Sequence, residues 1–217
     1  MIPVMLPFPD IYNIDVFLFS VATQKRVPTV SETVPSIGTE RTDFFIRKIL
    51  DIYFEGKEPG IEIKRNDEGK VLVNLENIHF SVSHADDSTL ISVSSTKSGC
   101  DIEKIRHLVR ERTFDTRFLD DTVNCPWIVR SGNNLMRIVS AREAALKYFG
   151  GKLLNDFKDI HMDFHGNIDG LYSWKATLGK NSCTVGEFYD DDLTINVAYT
   201  DSTPTINLTI HRNYFSI

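Results

Sequence analysis

A chain of 217 residues that is 41% apolar and 25% charged has room for one large core or two small ones and the composition of a globular protein. Its net charge of −6 disfavours general nucleic-acid binding, which needs a basic face. The three cysteines, Cys100, Cys125 and Cys183, lie far apart with no CxxC pair, which argues against a disulfide framework and a zinc site and predicts a reduced, cytoplasmic protein.

Met1 to Pro9 is apolar but broken by prolines and free of basic residues, so it does not read as a signal peptide, and no apolar run reaches the length of a membrane span. Ile14 to Ala22, rich in Val and Phe, predicts a buried strand. Lys25 to Pro35 reads as a loop. Thr39 to Phe54 predicts a helix with Phe45, Ile49 and Ile52 or Tyr53 on one face, stopped by Gly56 and Pro59. Ile61 and Ile63 alternate with charged residues, Asn66 to Gly69 makes a turn and Val71 to Leu75 returns, which is a hairpin signature. Short strands follow at His79 to Ser83, Leu90 to Ser95 and Cys100 to Glu103. Arg106 to Leu119 predicts a charged helix, and Leu135 to Phe149 a second apolar-faced helix stopped by Gly150 and Gly151. Strands then fill the remainder: Ile160 to Phe164, Leu171 to Ala176, Cys183 to Tyr189, Leu193 to Tyr199 and Thr205 to Ile210.

The two halves of the chain resemble each other. The first long helix ends Tyr53-Phe54-Glu55-Gly56-Lys57 and the last ends Tyr148-Phe149-Gly150-Gly151-Lys152. Each is followed by a hairpin and a strand pair with an acidic turn, at Asp86-Asp87 and at Asp190-Asp191-Asp192. The expectation is an α+β protein of two halves, residues 1–98 and 99–217, related by a pseudo-twofold axis. Each half would be a helix packed on a small, mainly antiparallel sheet, with an active site at the junction.

Three constellations carry chemistry. In Gly99-Cys100-Asp101-Ile102-Glu103, strand alternation points Asp101 and Glu103 the same way. Paired carboxylates repel unless a cation lies between them, and oxygen-only ligands favour Mg²⁺. On spacing alone, an exposed strand edge with two solvated acids is the better account of the pair, since D-x-E is common. In Arg142-Glu143-Ala144-Ala145-Leu146-Lys147, Glu143 and Lys147 are neighbours on one helix face. An ordinary surface ion pair has that spacing too. In Phe80-Ser81-Val82-Ser83-His84, the Ser83 hydroxyl and His84 imidazole can donate to phosphate oxygens, although a lone His at a strand end is commonly solvated.

Order and spacing together say more. The run HFSVSHADDSTLISVSSTKSGCDIEKIR resembles the 4′-phosphopantetheinyl transferase pattern of a strand ending in Ser-His, then Gly-x-Asp-x-Glu-x-x-Arg. Downstream, VSAREAALKYFGGKL resembles that family's (Trp/Phe)-Ser-x-Lys-Glu-(Ala/Ser)-x-x-Lys helix. Glu68-Gly69-Lys70 is similar to its Gly-Lys-Pro turn without the proline. Arg142 stands where the family usually has Lys, Val139 where it has an aromatic residue, and Ser81 where Asn is common. Length and duplication match the larger, monomeric branch.

The resemblance implies Mg²⁺-dependent transfer of the phosphopantetheine arm of coenzyme A onto a serine of an apo acyl or peptidyl carrier protein. Asp101, Glu103 and Glu143 are then the metal ligands, Glu143 the base and Lys147 the charge that meets the leaving group. Ser83, His84, Lys70, Arg142, Arg41 and Arg47 are the coenzyme A contacts. No nucleic acid and no membrane enter. Two alternatives stay open: another Mg²⁺-dependent phosphate-transfer enzyme, and a degenerate, non-catalytic coenzyme A-binding module. Carriers of this kind are acidic, and the stretch from Lys104 to Arg142 offers Lys104, Arg106, Arg110, Arg112, Arg117, Arg130, Arg137 and Arg142 against Glu111, Asp115, Asp120 and Asp121. It is the predicted docking face, although charge runs also serve simply to solvate a helix.

Overall fold

The computed structural model describes residues 13–20, 38–54, 60–66, 69–105, 123–124, 132–152, 156–168, 171–190, 192–201 and 207–212. The helix predicted over Arg106 to Leu119 and the loop Lys25 to Pro35 lie outside them. The fold is α+β, with two long helices among the described residues, and the chain divides into two compact units. The first comprises Met1–Val82, Asp87–Thr96 and Thr205–Ile217, the second Ser83–Asp86 and Lys97–Pro204.

In the first unit, β1 (Asn13–Ser20), β4 (His79–Ala85, whose last residues from Ser83 count with the second unit), β5 (Ser88–Ser94) and β12 (Asn207–Arg212) form a sheet in the order β12-β1-β5-β4. Helix α1 (Thr39–Phe54) buries Phe45, Ile46, Ile49, Leu50 and Tyr53 in one core with Phe17, Phe19, Phe80, Ile91 and Val93. Of the two residues the periodicity offered, Tyr53 is the buried one and Ile52 only partly so. Tyr53 turns inward because its hydroxyl donates to Asp15 Oδ2 at 2.5 Å. That carboxylate also meets His211 Nε2 on β12 at 3.1 Å, so one buried acid ties helix and last strand to β1. The hairpin of β2 (Ile63–Arg65) and β3 (Val71–Val73) is a separate two-stranded sheet. Its turn is closed by Asn66, whose side chain accepts from the Lys70 backbone N–H at 2.8 Å, with Gly69 at φ +79°.

In the second unit, β6 (Gly99–Lys104), β7 (Val123–Asn124), β8 (His161–Ile168), β9 (Leu171–Leu178), β10 (Asn181–Asp190) and β11 (Leu193–Tyr199) form a six-stranded sheet ordered β6-β11-β10-β9-β8-β7. It is antiparallel except at β7–β8. Helix α2 (Gly132–Phe149) packs on it through Ile138, Ala141, Ala144 and Ala145, which meet Trp174, Ala176, Val185 and Ala198. Small residues on the helix let its backbone come close to the strands. Gly99 is the extreme case, since a Cβ there would overlap the Ala144 carbonyl and come within 2.5 Å of the Tyr148 nitrogen.

The order helix, hairpin, strand pair recurs, as α1, β2–β3, β4–β5 and α2, β8–β9, β10–β11. The second hairpin is continuous with its sheet whereas the first stands apart. The last strand, expected with residues 99–217, pairs in parallel with β1 in the first unit. No helix among the described residues is long and apolar enough to cross a membrane.

Candidate functional site

Strand β6 and helix α2 bring the predicted acids together within the second unit. Asp101 and Glu103 lie opposite Asn196 and Thr194 of β11, so both project from one face, as two residues at i and i+2 must. On α2, Ser140, Glu143 and Lys147 share the helix stripe turned toward that strand. The close seat of α2 at Gly99 lets Lys147 Nζ reach both the Cys100 carbonyl at 3.0 Å and Asp101 Oδ1 at 2.8 Å.

Asp101 is 1% exposed and surrounded by donors. Ser83 Oγ donates to Oδ1 at 2.7 Å and Ser140 Oγ to Oδ2 at 2.7 Å. Such a carboxylate tolerates burial because its lone pairs are met by a charge and two hydroxyls. Glu143 has no comparable partner. Burial raises its pKa first and the neighbouring Asp101 charge next, with Glu103 adding to both and Lys147 opposing, so that it is pushed up to about 7 from an ordinary 4.5. Around neutrality both its forms are populated, and the protonated one can donate to Asp101. Burial works against the charge of Lys147, but the carboxylates beside it, Asp101 foremost, outweigh that and raise its pKa. It is a permanent cation at pH 7.

Among the described residues, no three His, Cys, Asp or Glu side chains are arranged to hold a metal ion as they stand. The donor chemistry nonetheless fits one. Three acids lie near one ammonium, and burial first, then the neighbouring carboxylate charges, make it costly for Glu143 to ionise. A hard divalent cation is the other way to relieve carboxylates held together, and all-oxygen donors suit it.

The remaining predicted residues fall in several places. Ser83, read as a phosphate donor, gives its one hydroxyl proton to Asp101. His84, next to it, is exposed. Arg142 is fully buried with its guanidinium over the Phe157 ring, 5.4 Å from the centroid, a position that offers no surface to a ligand. Lys70, Arg41 and Arg47 belong to the first unit. Lys70 sits at the β2–β3 turn and Arg47 is exposed on α1. Arg41 is 3% exposed with no hydrogen-bond partner for its Nε.

The basic docking face must be redrawn. Arg137 is buried at 8% exposure, forked onto Glu187 and set against the rings of Tyr172 and Tyr189, 4.8 and 5.0 Å from their centroids. Glu187, itself 0% exposed, also accepts from Trp174 Nε1 at 2.9 Å and Tyr189 Oη at 3.0 Å. With Arg142 also enclosed, two of the eight cations serve packing. Lys104 is an exposed ion pair with Asp192 at 3.0 Å, and Arg106, Arg110, Arg112, Arg117 and Arg130 lie outside the described residues.

Sequence reasoning assigned no role to Ser140, although it stands in the helix motif, and did not single out Asn196 or Glu187. For Glu187 a signal existed. It continues the Cys183, Val185 alternation, so an acid on that face had to be buried and paired.

Compared with known proteins, the chain matches no family model and no curated protein.

Proposed function

We propose that this protein transfers the 4′-phosphopantetheine arm of coenzyme A to a serine of an apo carrier protein, as a member of the 4′-phosphopantetheinyl transferase family in its two-half, pseudo-twofold form. The observation that carries the reading is the convergence of Asp101, Glu103 and Glu143 with Lys147, from two motifs far apart in sequence, around one proton-binding centre. A structural ion pair needs one acid for one lysine. Three acids, one of them titrating near neutrality, suit phosphoryl-type chemistry, in which positioning and charge neutralisation dominate.

In this account the carrier serine forms the new O–P bond at the β-phosphorus, the pyrophosphate P–O bond breaks, and 3′,5′-ADP leaves with the electron pair. Glu143, with a pKa of about 7, is matched to taking the serine proton at physiological pH. Lys147 carries a lasting positive charge beside the reacting groups. Asp101 is the fixed point that holds Lys147. Mg²⁺ held by Asp101, Glu103 and Glu143 would supply positive charge to the pyrophosphate oxygens. Arg41, Arg47 and Lys70 remain proposed phosphate ligands on the resemblance alone. His84 is retained as one for its exposure, whereas Ser83 and Arg142 act instead on Asp101 and on the α2 packing.

One observation favours the second reading, a non-catalytic coenzyme A-binding module. Asp101 already spends its oxygens on Lys147, Ser83 and Ser140. Calorimetric titration with coenzyme A, with and without Mg²⁺, separates the two. Binding strengthened by Mg²⁺ and lost from that dependence in Asp101→Ala supports the enzyme, whereas binding indifferent to Mg²⁺ in both supports the module.

A further inference from the structure

Asn196 is fully enclosed at 0% exposure, and its Oδ1 has no hydrogen-bond partner. A buried carbonyl oxygen left unpaired costs about 1–3 kcal/mol, so a fold with no use for the side chain would do better with an apolar residue. Its Nδ2 shows the use. It donates to Ser140 Oγ at 2.9 Å and to Thr194 Oγ1 at 3.3 Å. A hydroxyl has one proton to give. With the Ser140 oxygen accepting from Asn196, that proton is directed to Asp101 Oδ2, 2.7 Å away. Without Asn196, Ser140 in mid-helix can turn its proton to the carbonyl one turn back, as helical serines do, and release Asp101.

Asn196 and Asp101 are also direct partners across the β11–β6 ladder, so the relay closes on itself: strand to helix by Asn196–Ser140, helix to strand by Ser140–Asp101, strand to strand by the ladder. We infer that Asn196 is a positioning residue that acts through Ser140 to fix the orientation of the Asp101 carboxylate for a divalent cation. This rests on the carboxylate-centre reading of the proposed function. Asn196 touches neither substrate nor cation. It fixes the Oδ2 side of a carboxylate whose Oδ1 accepts from Ser83 and Lys147, and so which lone pairs face the centre, and partners at this remove commonly govern metal affinity.

The test uses Mn²⁺ binding followed by electron paramagnetic resonance, which needs no substrate and no turnover. Asn196→Leu keeps the branched shape and removes both the donor and the unpaired oxygen. Ser140→Ala removes the relay from a helix position where alanine is well tolerated. Each single variant is expected to bind Mn²⁺ about tenfold more weakly, and the double variant also about tenfold, because the second change cuts a wire already cut. Circular dichroism and thermal melting accompany each protein, with Asn196→Leu expected to melt no lower than the parent. Should Asn196→Leu not fold, Asn196→Ala takes its place in the same cycle. A parental Mn²⁺ affinity in the Asn196 variant, or losses that multiply in the double variant, overturns the inference while leaving the carboxylate centre standing. A parent that binds no Mn²⁺ overturns the centre and the inference with it.

Discussion

Replacing Glu143 by Gln keeps its size and its ability to donate to Asp101 but removes the charge the folded state resists. In the parent, the folded protein holds the Glu143 proton up to about pH 7 while the unfolded chain releases it near 4.5. The folded state therefore binds more protons across that interval, and stability falls as pH rises through it, levelling off above about 7. At about 1.4 kcal/mol for each pH unit, the interval is worth about 3 kcal/mol, and about half of that where water still reaches the carboxylate. For a chain of this size, that corresponds to about 3–12 °C in melting temperature. Melting curves of parent and Glu143→Gln, collected from pH 4 to 8.5 with a chelator present, should coincide at the acid end and separate as pH rises, with the variant the more stable. Saturating Mg²⁺ should then recover stability in the parent at pH 8 and do less for the variant. Curves that run parallel at every pH would refute the placement of a buried Glu143 beside the Asp101 and Glu103 carboxylates.

Other outcomes follow from the site, the packing and the charge pattern of the sequence. Lys147→Met should reduce turnover strongly with little change in coenzyme A affinity, read as kcat falling at constant KM, because its charge matters most as the leaving group develops. Gly99→Ala should lower stability by about 3 kcal/mol, read from urea midpoints, because its methyl enters the α2 backbone at Ala144 and Tyr148 rather than a side chain that can turn aside. Glu187→Gln should cost about 3–5 kcal/mol by the same assay, since it leaves the Arg137 guanidinium buried without its counter-charge. Arg110→Glu with Arg117→Glu should raise the KM for the carrier and flatten its salt dependence, leaving the KM for coenzyme A in place.

Much of this architecture could be read from local pattern. Helix α1 runs over the predicted residues, Thr39–Phe54, and α2 starts at Gly132, three residues before the predicted Leu135, because its first turn lacks the apolar period that marks the rest. The β9–β10 hairpin is longer than its apolar run, since Leu178 and Asn181 still pair around a two-residue turn with Gly179 at φ +60°. What local pattern does not carry is pairing across the chain. The parallel register Asn13↔Asn207 to Leu18↔Arg212 joins strands from opposite ends of the sequence, and the two residues of β7 are too few to show a period.

That Asp101 and Glu103 share a strand face, and Glu143 and Lys147 a helix face, could be read from spacing; that the two faces meet could not. Their wiring could not be read either. Whether Ser83 faces a phosphate or Asp101, and whether Arg142 faces a ligand or Phe157, depends on which element packs behind each residue. That follows from the close approach of α2 to β6 at Gly99, and a glycine in sequence announces only that something comes near.

The most direct measurement is intact-protein mass spectrometry of apo carrier proteins from fatty-acid, polyketide and peptide-synthetase systems after incubation with coenzyme A, Mg²⁺ and this protein. The account predicts that at least one carrier gains the mass of the phosphopantetheine arm on its serine, with 3′,5′-ADP released in equal amount and both lost with Asp101→Ala. A chain that binds coenzyme A yet modifies none of the carriers, or an Asp101→Ala variant that modifies them at the parental rate, would contradict it.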